Sequence, residues 1–359
     1  LAGHPDLWIN STSLIQYSDL LGSIMFSQMS QSFTRCFTSK STDSSNSPDV
    51  VYATSFDSSG SKSELARQRL LRLLLVVYVS FMVLTETCII MPALYADRWH
   101  VYLIYFVFGL YLLIGFVSSA VRLVLADPSI KGLMLVNKAG RDWTYCLACQ
   151  SVRPPRAHHC HVCATCVLRR DHHCVILAQC IGLSNWRFFL TLLLYGAMGG
   201  FLASWFNLQF VFGDQFLTTD WSIGFRVLCI LAPPGLLWIT RQISLWQTAV
   251  FMLTTSSLLF ACSLTCFFCL YVHLMLRNQT MSDQMARSKA LAVDPQLRTP
   301  EVQMVVANTH AGLFNVGVRA NVYQFLGQSW LKALLIPLSN SRLTTDGLSF
   351  PRSDGVKFQ

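Results

Sequence analysis

Between Cys146 and Cys180 the chain concentrates seven of its 13 cysteines and five of its nine histidines. In order, the candidate ligands are Cys146, Cys149, His159, Cys160, Cys163, Cys166, His173, Cys174 and Cys180. Three C-x2-C steps, at Cys146 to Cys149, Cys160 to Cys163 and Cys163 to Cys166, follow one another within 21 residues. Such a step forms a tight knuckle that offers two thiolates to one tetrahedral zinc ion, and the set exceeds the eight ligands that two zinc ions need. A disulfide framework or a buried nest of reduced thiols fits less well. The loop is polar and basic, carries Pro154 and Pro155, and has little apolar content in which to bury seven cysteines. Zinc is therefore predicted, while spacing alone neither divides the ligands between ions nor says which Cys and His remain for other work. The other cysteines, Cys36, Cys88, Cys229, Cys262, Cys266 and Cys269, are scattered, mostly in apolar stretches, and read as small packing residues.

The elements that must position this loop belong to a membrane. Of 359 residues, 53% are hydrophobic and 13% charged, with a mean hydropathy of +0.44. That balance excludes an ordinary water-soluble enzyme. Four apolar windows are long enough to cross a bilayer: about Leu73 to Leu94, Val101 to Val121, Phe188 to Phe206 and Ala249 to Leu276. The expected fold class is an all-α polytopic membrane protein, with four transmembrane helices and a small cytosolic zinc-binding domain between the second and third. Arg67, Arg69 and Arg72 precede the first window, and Arg277, Arg287 and Lys289 follow the fourth. The loop from Arg122 to Arg187 carries Lys131, Lys138, Arg141, Arg153, Arg156, Arg169 and Arg170, whereas the first turn has only Arg98. By the positive-inside bias, the loop and both termini face the cytosol. The formal net charge of +9 lies mainly beside the spans, so an anionic membrane surface or ligand is a simpler partner than nucleic acid.

The organisation expected is 1–66, a polar Ser-rich disordered region; 67–121, the first two spans; 122–187, the cysteine-rich domain; 188–276, the last two spans; and 277–359, a cytosolic C-terminal region. Runs such as Ser41 to Ser47 mark the first region. Leu14 to Phe33 is only weakly apolar and lacks a charged leader, so no cleaved signal peptide is expected. The chain opens at Leu1, so its natural amino terminus is expected further upstream. Residues 223–239 are apolar but short, broken by Pro233 and Pro234, and carry Arg226. They read as a re-entrant or interfacial hairpin on the far side, with a fifth span as the alternative. Glu86 lies past the midplane, counting from Leu73 at about 1.5 Å per residue, and is read as reaching water there instead of serving function. Gly196, Gly199 and Gly200 give the third window a slim face, read as close helix packing in preference to a widened tunnel.

The run Asp171, His172, His173, Cys174, preceded by C-x2-C-x9-H-C-x2-C-x2-C-x4 and followed by Cys180, resembles the cysteine-rich domain of the DHHC protein S-acyltransferases, or palmitoyltransferases. The four-span layout extends the likeness over roughly Leu73 to Gly327. The resemblance implies two interleaved zinc sites, one from Cys146, Cys149, His159 and Cys166, the other from Cys160, Cys163, His173 and Cys180. It leaves Cys174 unligated, with His172 as the base that takes its proton and Asp171 as the acceptor that fixes the imidazole tautomer. The implied reaction has two steps: Cys174 takes a long-chain acyl group such as palmitoyl from acyl-CoA as a thioester, then passes it to a cysteine of a substrate protein. The implied cofactors are two structural zinc ions, with acyl-CoA as co-substrate. The implied partners are the bilayer, acyl-CoA and proteins with cytosolic membrane-proximal cysteines, and no nucleic acid. The implied location is a eukaryotic endomembrane (endoplasmic reticulum or Golgi) or the plasma membrane. The spans would offer the acyl chain a dry tunnel, each methylene withdrawn from water favouring binding by about 0.8 kcal/mol. Arg153, Arg156, Arg169, Arg170 and Arg187 suit CoA phosphates and suit a solvated or lipid-facing role equally, so none is assigned. His158 and His161 read as solvated loop residues.

Three places depart from the family pattern. Thr280, Met281, Ser282 and Asp283 stand where Thr-Thr-x-Glu is usual, and Asp127, Pro128 and Ser129 stand for Asp-Pro-Gly. After the implied nucleophile, Val175, Ile176, Leu177, Ala178 and Gln179 replace Pro-Trp-Val-Asn-Asn. Phe314 to Gly317, Asn321 and Gln324 to Gly327 match the family's carboxyl-terminal motif, in which Asn321 is implied to tie the segment against the helices. Every residue implied in the site is present, so an active but divergent or narrow enzyme is expected. The alternative is a catalytically weak or inactive DHHC-family membrane scaffold with structural zinc, which has no need to keep Asp171, His172 and Cys174 together.

Overall fold

Four helices long and apolar enough to cross a membrane, Ser63–Tyr95, Trp99–Leu125, Trp186–Phe212 and Leu245–Leu276, frame the computed structural model. It describes residues 58–133, 143–213, 221–231, 234–293, 296, 312–339 and 341–353. The Ser-rich run through residue 57, Lys138, Arg141 and Pro233 lie outside the described residues.

The first span begins as α1, Ser58–Thr85. It starts ahead of the expected boundary at residue 67, because Glu64 pairs with Arg67 at 2.7 Å and accepts from Gln68 Nε2 at 2.8 Å, which favours helix through the polar stretch. It continues through a π-helical turn, Glu86–Ile90, into α2, Met91–Tyr95. Pro92 causes the turn: it has no N–H, and its ring crowds the carbonyl four residues back, so the helix widens just ahead of it. The widening swings Glu86 into the bundle. There it is 7% exposed and accepts from Asn207 Nδ2 at 2.7 Å, which corrects the expectation that it reaches water.

The second span is α3, Trp99–Leu125, and the third is α4, Trp186–Phe212. α4 is the centre of the bundle: 56% of its most apolar stretch is buried, against 11–22% for the other spans. Small residues allow this approach. A Cβ on Gly115 of α3 would lie 2.4 Å from the Tyr195 ring, and one on Gly200 would lie 3.0 Å from Ala261 Cβ of the fourth span. On the outer face, Leu73, Leu74, Phe81 and Leu84 of α1 are exposed, as lipid contact requires.

After α4 come α5, Ile223–Leu231, and α6, Pro234–Ile239. At about 1.5 Å per residue, neither is long enough to cross a bilayer. Arg226 Nη1 donates to the carbonyl of Val211 at 3.2 Å and Thr255 Oγ1 donates to that of Ile230 at 2.8 Å, so α5 packs against the end of the third span and the side of the fourth. This agrees with a hairpin and not with a fifth span. The fourth span, α7, Leu245–Leu276, starts with a capping box in which Ser244 and Gln247 satisfy each other's backbone N–H.

Between α3 and α4 the chain folds into three antiparallel hairpins: β1 Thr144–Cys146 with β2 Ser151–Arg153, β3 His158–Cys160 with β4 Thr165–Val167, and β5 His172–Cys174 with β6 Gln179–Ile181. Two-stranded hairpins this short have almost no core of their own, and this domain must be held by other means. One tie is the segment after α3. Ile130 N–H donates to the Cys166 carbonyl at 3.0 Å and Leu168 N–H to the Pro128 carbonyl at 2.9 Å. Ser129, standing where the family has glycine, bonds Asp127 through both its N–H and its hydroxyl at 2.9 Å.

The C-terminal region supplies the second tie with α8 Met281–Ala292, α9 Val318–Leu326 and α10 Trp330–Leu335. Arg156 is buried beneath it, donating to Asn278 Oδ1 and carbonyl at 2.9 Å each and pairing with Asp283 at 2.7 Å. Arg169, also buried, donates to the Gln324 carbonyl at 2.9 Å and stacks over Phe325 at 3.9 Å. Neither is solvated or lipid-facing, and neither is disposed to meet a phosphate: both bind the hairpins to the C-terminal segment. Asn321, fully buried, donates to Asn315 Oδ1 at 2.7 Å and to the Leu276 carbonyl at 2.8 Å. It ties the segment to the end of α7.

Candidate catalytic and metal sites

The three hairpins are one unit repeated. Cys146, Cys160 and Cys174 end the first strand of each, at 14-residue intervals, and Gln150, Ala164 and Ala178 take the same left-handed turn position with φ of 48°, 49° and 49°. In the first two units the knuckle is completed by Cys149 and Cys163, and in the third by Leu177. Each knuckle meets a His and a Cys from the hairpin that follows it. Cys146 and Cys149 meet His159 and Cys166, and Cys160 and Cys163 meet His173 and Cys180. The third hairpin is followed by α4, which brings no such pair. Cys174 is the thiol this chain of exchanges leaves over.

The geometry of the two groups fits zinc. Tetrahedral zinc with bonds of about 2.3 Å to sulfur and 2.0–2.1 Å to nitrogen has edges of about 3.6 Å from sulfur to nitrogen and about 3.8 Å between sulfurs. His159 Nδ1 lies 3.7, 3.2 and 3.9 Å from the sulfurs of Cys146, Cys149 and Cys166. His173 Nδ1 lies 3.6, 3.3 and 3.6 Å from those of Cys160, Cys163 and Cys180, and Cys163 and Cys180 are 3.7 Å apart. His173 donates its other ring nitrogen to Gln68 Oε1 of α1 at 3.0 Å, so the first span fixes the orientation of a ligand.

Beside the second group stand Asp171, His172 and Cys174. Asp171 is 1% exposed, and its Oδ2 lies 2.7 Å from His172 Nδ1. Its Oδ1 accepts from the backbone N–H of Met281 at 3.0 Å, and its carbonyl accepts from Ser282 Oγ at 2.6 Å. Tyr271 of α7 places its hydroxyl 3.0 Å from His172 Nδ1. With Nδ1 engaged by Asp171 and Tyr271, the remaining ring nitrogen is the one available to Cys174. Burial pushes the Cys174 thiol up, but the bond and charge of His172 and the N–H groups of Leu177 and Ile176 outweigh it and hold the thiol below its ordinary value. Burial pulls His172 down, but Asp171 and Cys174 reverse this and raise it to about 9. Both shifts run toward the thiolate and imidazolium forms, and the thiolate is the form in which a cysteine attacks a thioester.

The family model described as DHHC palmitoyltransferase matches residues 140–288. The Homo sapiens protein named Probable palmitoyltransferase ZDHHC24 is 34% identical over 255 residues, covering 69% of this chain and 78% of its own length. Its Mus musculus counterpart is 30% identical over 245 residues, covering 67% and 75%. The chain belongs to the DHHC palmitoyltransferase family. Similarity is higher over a shorter stretch with Palmitoyltransferase ZDHHC20 of Homo sapiens, at 47% over 62 residues and 17% of each chain.

The residues that depart from the DHHC pattern have definite places in the structure. Thr280 caps α8, and Asp283 closes the capping box from the position that the family gives to Glu. Between them Met281 contributes its backbone N–H, which most residue types supply. In the segment after Cys174, Leu177 is buried in the apolar cluster of Leu123, Ile181 and Phe189, against which Cys174 itself packs. Gln179 Nε2 reaches the Leu123 carbonyl at 3.3 Å, and Ile176 stays exposed.

A cavity of about 340 Å³ lies deeper in the bundle, walled by all four spans, from Phe116 and Tyr195 at the hairpin end to Glu86 and Phe206 at the other. Gly196, Gly199 and Gly200 all line it. A Cβ on Gly196 or Gly200 would meet the fourth span, at Leu264 or Ala261, whereas one on Gly199 would meet nothing within 4 Å. Two of the three glycines therefore serve packing, and the third gives the cavity width. Sequence reasoning passed over Gln68, Tyr271 and the Met281 N–H, which carry no motif of their own. The 14-residue recurrence was readable and would have divided the ligands.

Proposed function

We propose that the chain is a protein S-acyltransferase, moving a long-chain acyl group from acyl-CoA to Cys174 and then to a cysteine of a substrate protein. The supporting observation is a thiol outside both metal-ligand groups, two residues from a His172 that Asp171 holds at 2.7 Å, and packed against the apolar cluster that also holds Phe116 of the cavity wall. The thiolate of Cys174 attacks the thioester carbonyl of acyl-CoA. As the tetrahedral intermediate collapses, CoA leaves as a thiolate and takes the proton held by His172. In the second half, His172 accepts the proton of an incoming cysteine thiol, which attacks the acyl-enzyme and releases Cys174 as the thiolate. One thioester is broken and one made in each half, so no further energy source is needed.

Asp171 keeps His172 in one tautomer and stabilises its imidazolium. The hairpins hold the three residues at the end of the bundle, and zinc held by the two groups of four would supply the cross-links that such short hairpins lack. The cavity, within the size range of ligand pockets, receives the acyl chain. The basic flanks favour the cytosolic face for the hairpins, where acyl-CoA and membrane-proximal cysteines of substrate proteins are met. The test is incubation of purified protein with labelled palmitoyl-CoA. Hydroxylamine-sensitive label on the wild type and none on Cys174→Ser is the expected result. Unlabelled wild type that holds two zinc ions per chain would leave a scaffold with structural zinc.

A further inference from the structure

The deep end of the cavity is not apolar. Glu86, buried at 7% exposure, lines it. Its Oε1 accepts from Asn207 Nδ2 at 2.7 Å, but its Oε2 is buried and has no protein partner. The same holds for Oδ1 of Asn207 beside it. Asn207 Nδ2 also approaches Ser257 Oγ at 3.4 Å, and Ser204 Oγ lies 3.2 Å from Ser257 Oγ. Of these four side chains it is Glu86 that lines the cavity, in a wall of aliphatic and aromatic residues such as Met82, Leu112 and Phe206; the other three stand behind it. An unsatisfied buried carboxyl oxygen is costly. A stretch of apolar chain ending against it would leave it unsatisfied.

The depth of Glu86 matches the far end of a bound chain. Arg72, whose guanidinium donates to the Leu177 carbonyl in the knuckle of Cys174, marks the level of the nucleophile on the first span. Glu86 lies further along the same helix by about 21 Å at about 1.5 Å per residue. That is about the reach of an extended long-chain acyl group. The π-helical turn at Glu86–Ile90 is what turns the carboxyl inward at this depth.

We propose that the cavity recognises acyl chains carrying a hydroxyl near the methyl end, which bonds to Glu86 Oε2. This rests on the S-acyltransferase reading and names a substrate class for it. A hydroxyl both donates and accepts, so it satisfies this oxygen whether the carboxyl is ionised or protonated; a methyl end satisfies neither.

The experiment compares binding and transfer on the intact, zinc-loaded protein. Non-hydrolysable thioether analogues of ω-hydroxypalmitoyl-CoA and palmitoyl-CoA are titrated against the wild type and Glu86→Leu. We expect the wild type to bind the hydroxylated analogue about tenfold more tightly, as one buried hydrogen bond provides, and Glu86→Leu to lose or reverse that preference. Equal affinity in the wild type would overturn the proposal, and that comparison needs no variant to fold. Thioester formation is then measured with the two authentic acyl-CoAs. Absence of transfer from both would sink the S-acyltransferase reading, while the binding comparison would still decide recognition. Efficient transfer without discrimination in binding would keep that reading and reject the hydroxyl site.

Discussion

The backbone N–H of Met281 donates to Asp171 Oδ1 at 3.0 Å, so the first residue of α8 holds the carboxylate that faces His172. A helix N-terminus is a natural place for an anion, because its first N–H groups have no partner within the helix and its dipole favours negative charge. It also makes Met281→Pro a clean probe. Proline is well tolerated at the first position of a helix, and the preceding Thr280, at φ −107° and ψ 162°, is already in the conformation that proline requires of its neighbour. The variant removes the N–H and little else. We expect it to slow formation of the Cys174 thioester roughly tenfold or more, as loss of a hydrogen bond to a charged group does, with zinc content unchanged. Met281→Thr, which restores the family residue and keeps the N–H, is expected to match the wild type. A slow Met281→Thr would show that the side chain matters after all.

The pH dependence of the first half-reaction follows from the same carboxylate. His172 is raised to about 9 by Asp171 and Cys174 against the opposing effect of burial, and Cys174 is held below its ordinary value. Thioester formation needs the thiolate, so the rate is expected to be full above the Cys174 pKa and to fall as the pH drops through it. Asp171→Asn removes the charge that sustains the imidazolium, which in turn depresses the thiol. Its rising limb is expected at higher pH in single-turnover profiles. A lower rate with the limb unmoved would assign Asp171 a purely orienting part.

Much of this arrangement was legible in the residues. Apolar runs and flanking arginines located the four spans to within about six residues at every end but the start of the first, where the helix begins at Ser63 instead of Leu73, because a bilayer demands length and low charge whatever the packing. Ligand types and spacing predicted zinc, and the resemblance divided the ligands as the structure groups them. What was illegible depended on the third dimension. Glu86 faces inward because Pro92 widens the helix ahead of it, a rotation that counting along an ideal helix misses. Arg156 and Arg169 looked available for phosphates, yet lie buried under a segment more than 100 residues away in sequence. Tyr271 reaches His172 from an otherwise lipid-compatible helix, and no local pattern marks it.

Gln68 joins the first span to the second metal group through His173 at 3.0 Å, and it is itself held by Glu64 at 2.8 Å. Partners of this kind fix the tautomer and direction of a ligating imidazole, and their loss typically costs about 10- to 100-fold in metal affinity. Gln68→Leu is expected to weaken zinc at the group of Cys160, Cys163, His173 and Cys180 by about that much. The group of Cys146, Cys149, His159 and Cys166 should keep its affinity. Chelator competition should then resolve one weakened and one unchanged zinc per chain; two weakened sites would mean that the hairpins fail as a unit.

Gly199 and Gly200 are neighbours that should answer the same substitution differently. A side chain on Gly200 runs into Ala261 of the fourth span at 3.0 Å, whereas one on Gly199 enters open space in the cavity wall. Gly200→Leu is therefore expected to push the third and fourth spans apart and lower thermal stability, with acyl transfer falling for every chain length. Gly199→Leu should leave stability intact or slightly raised, since glycine is the poorer helix former by about 1 kcal/mol. Its leucine would occupy volume that the acyl chain uses, and each methylene denied a place forfeits about 0.8 kcal/mol of binding. Preference in a competition among labelled acyl-CoAs should move to shorter chains, by about tenfold where two methylenes are excluded. Unchanged chain-length preference in a stable Gly199→Leu protein would mean that the chain lies elsewhere than in this cavity.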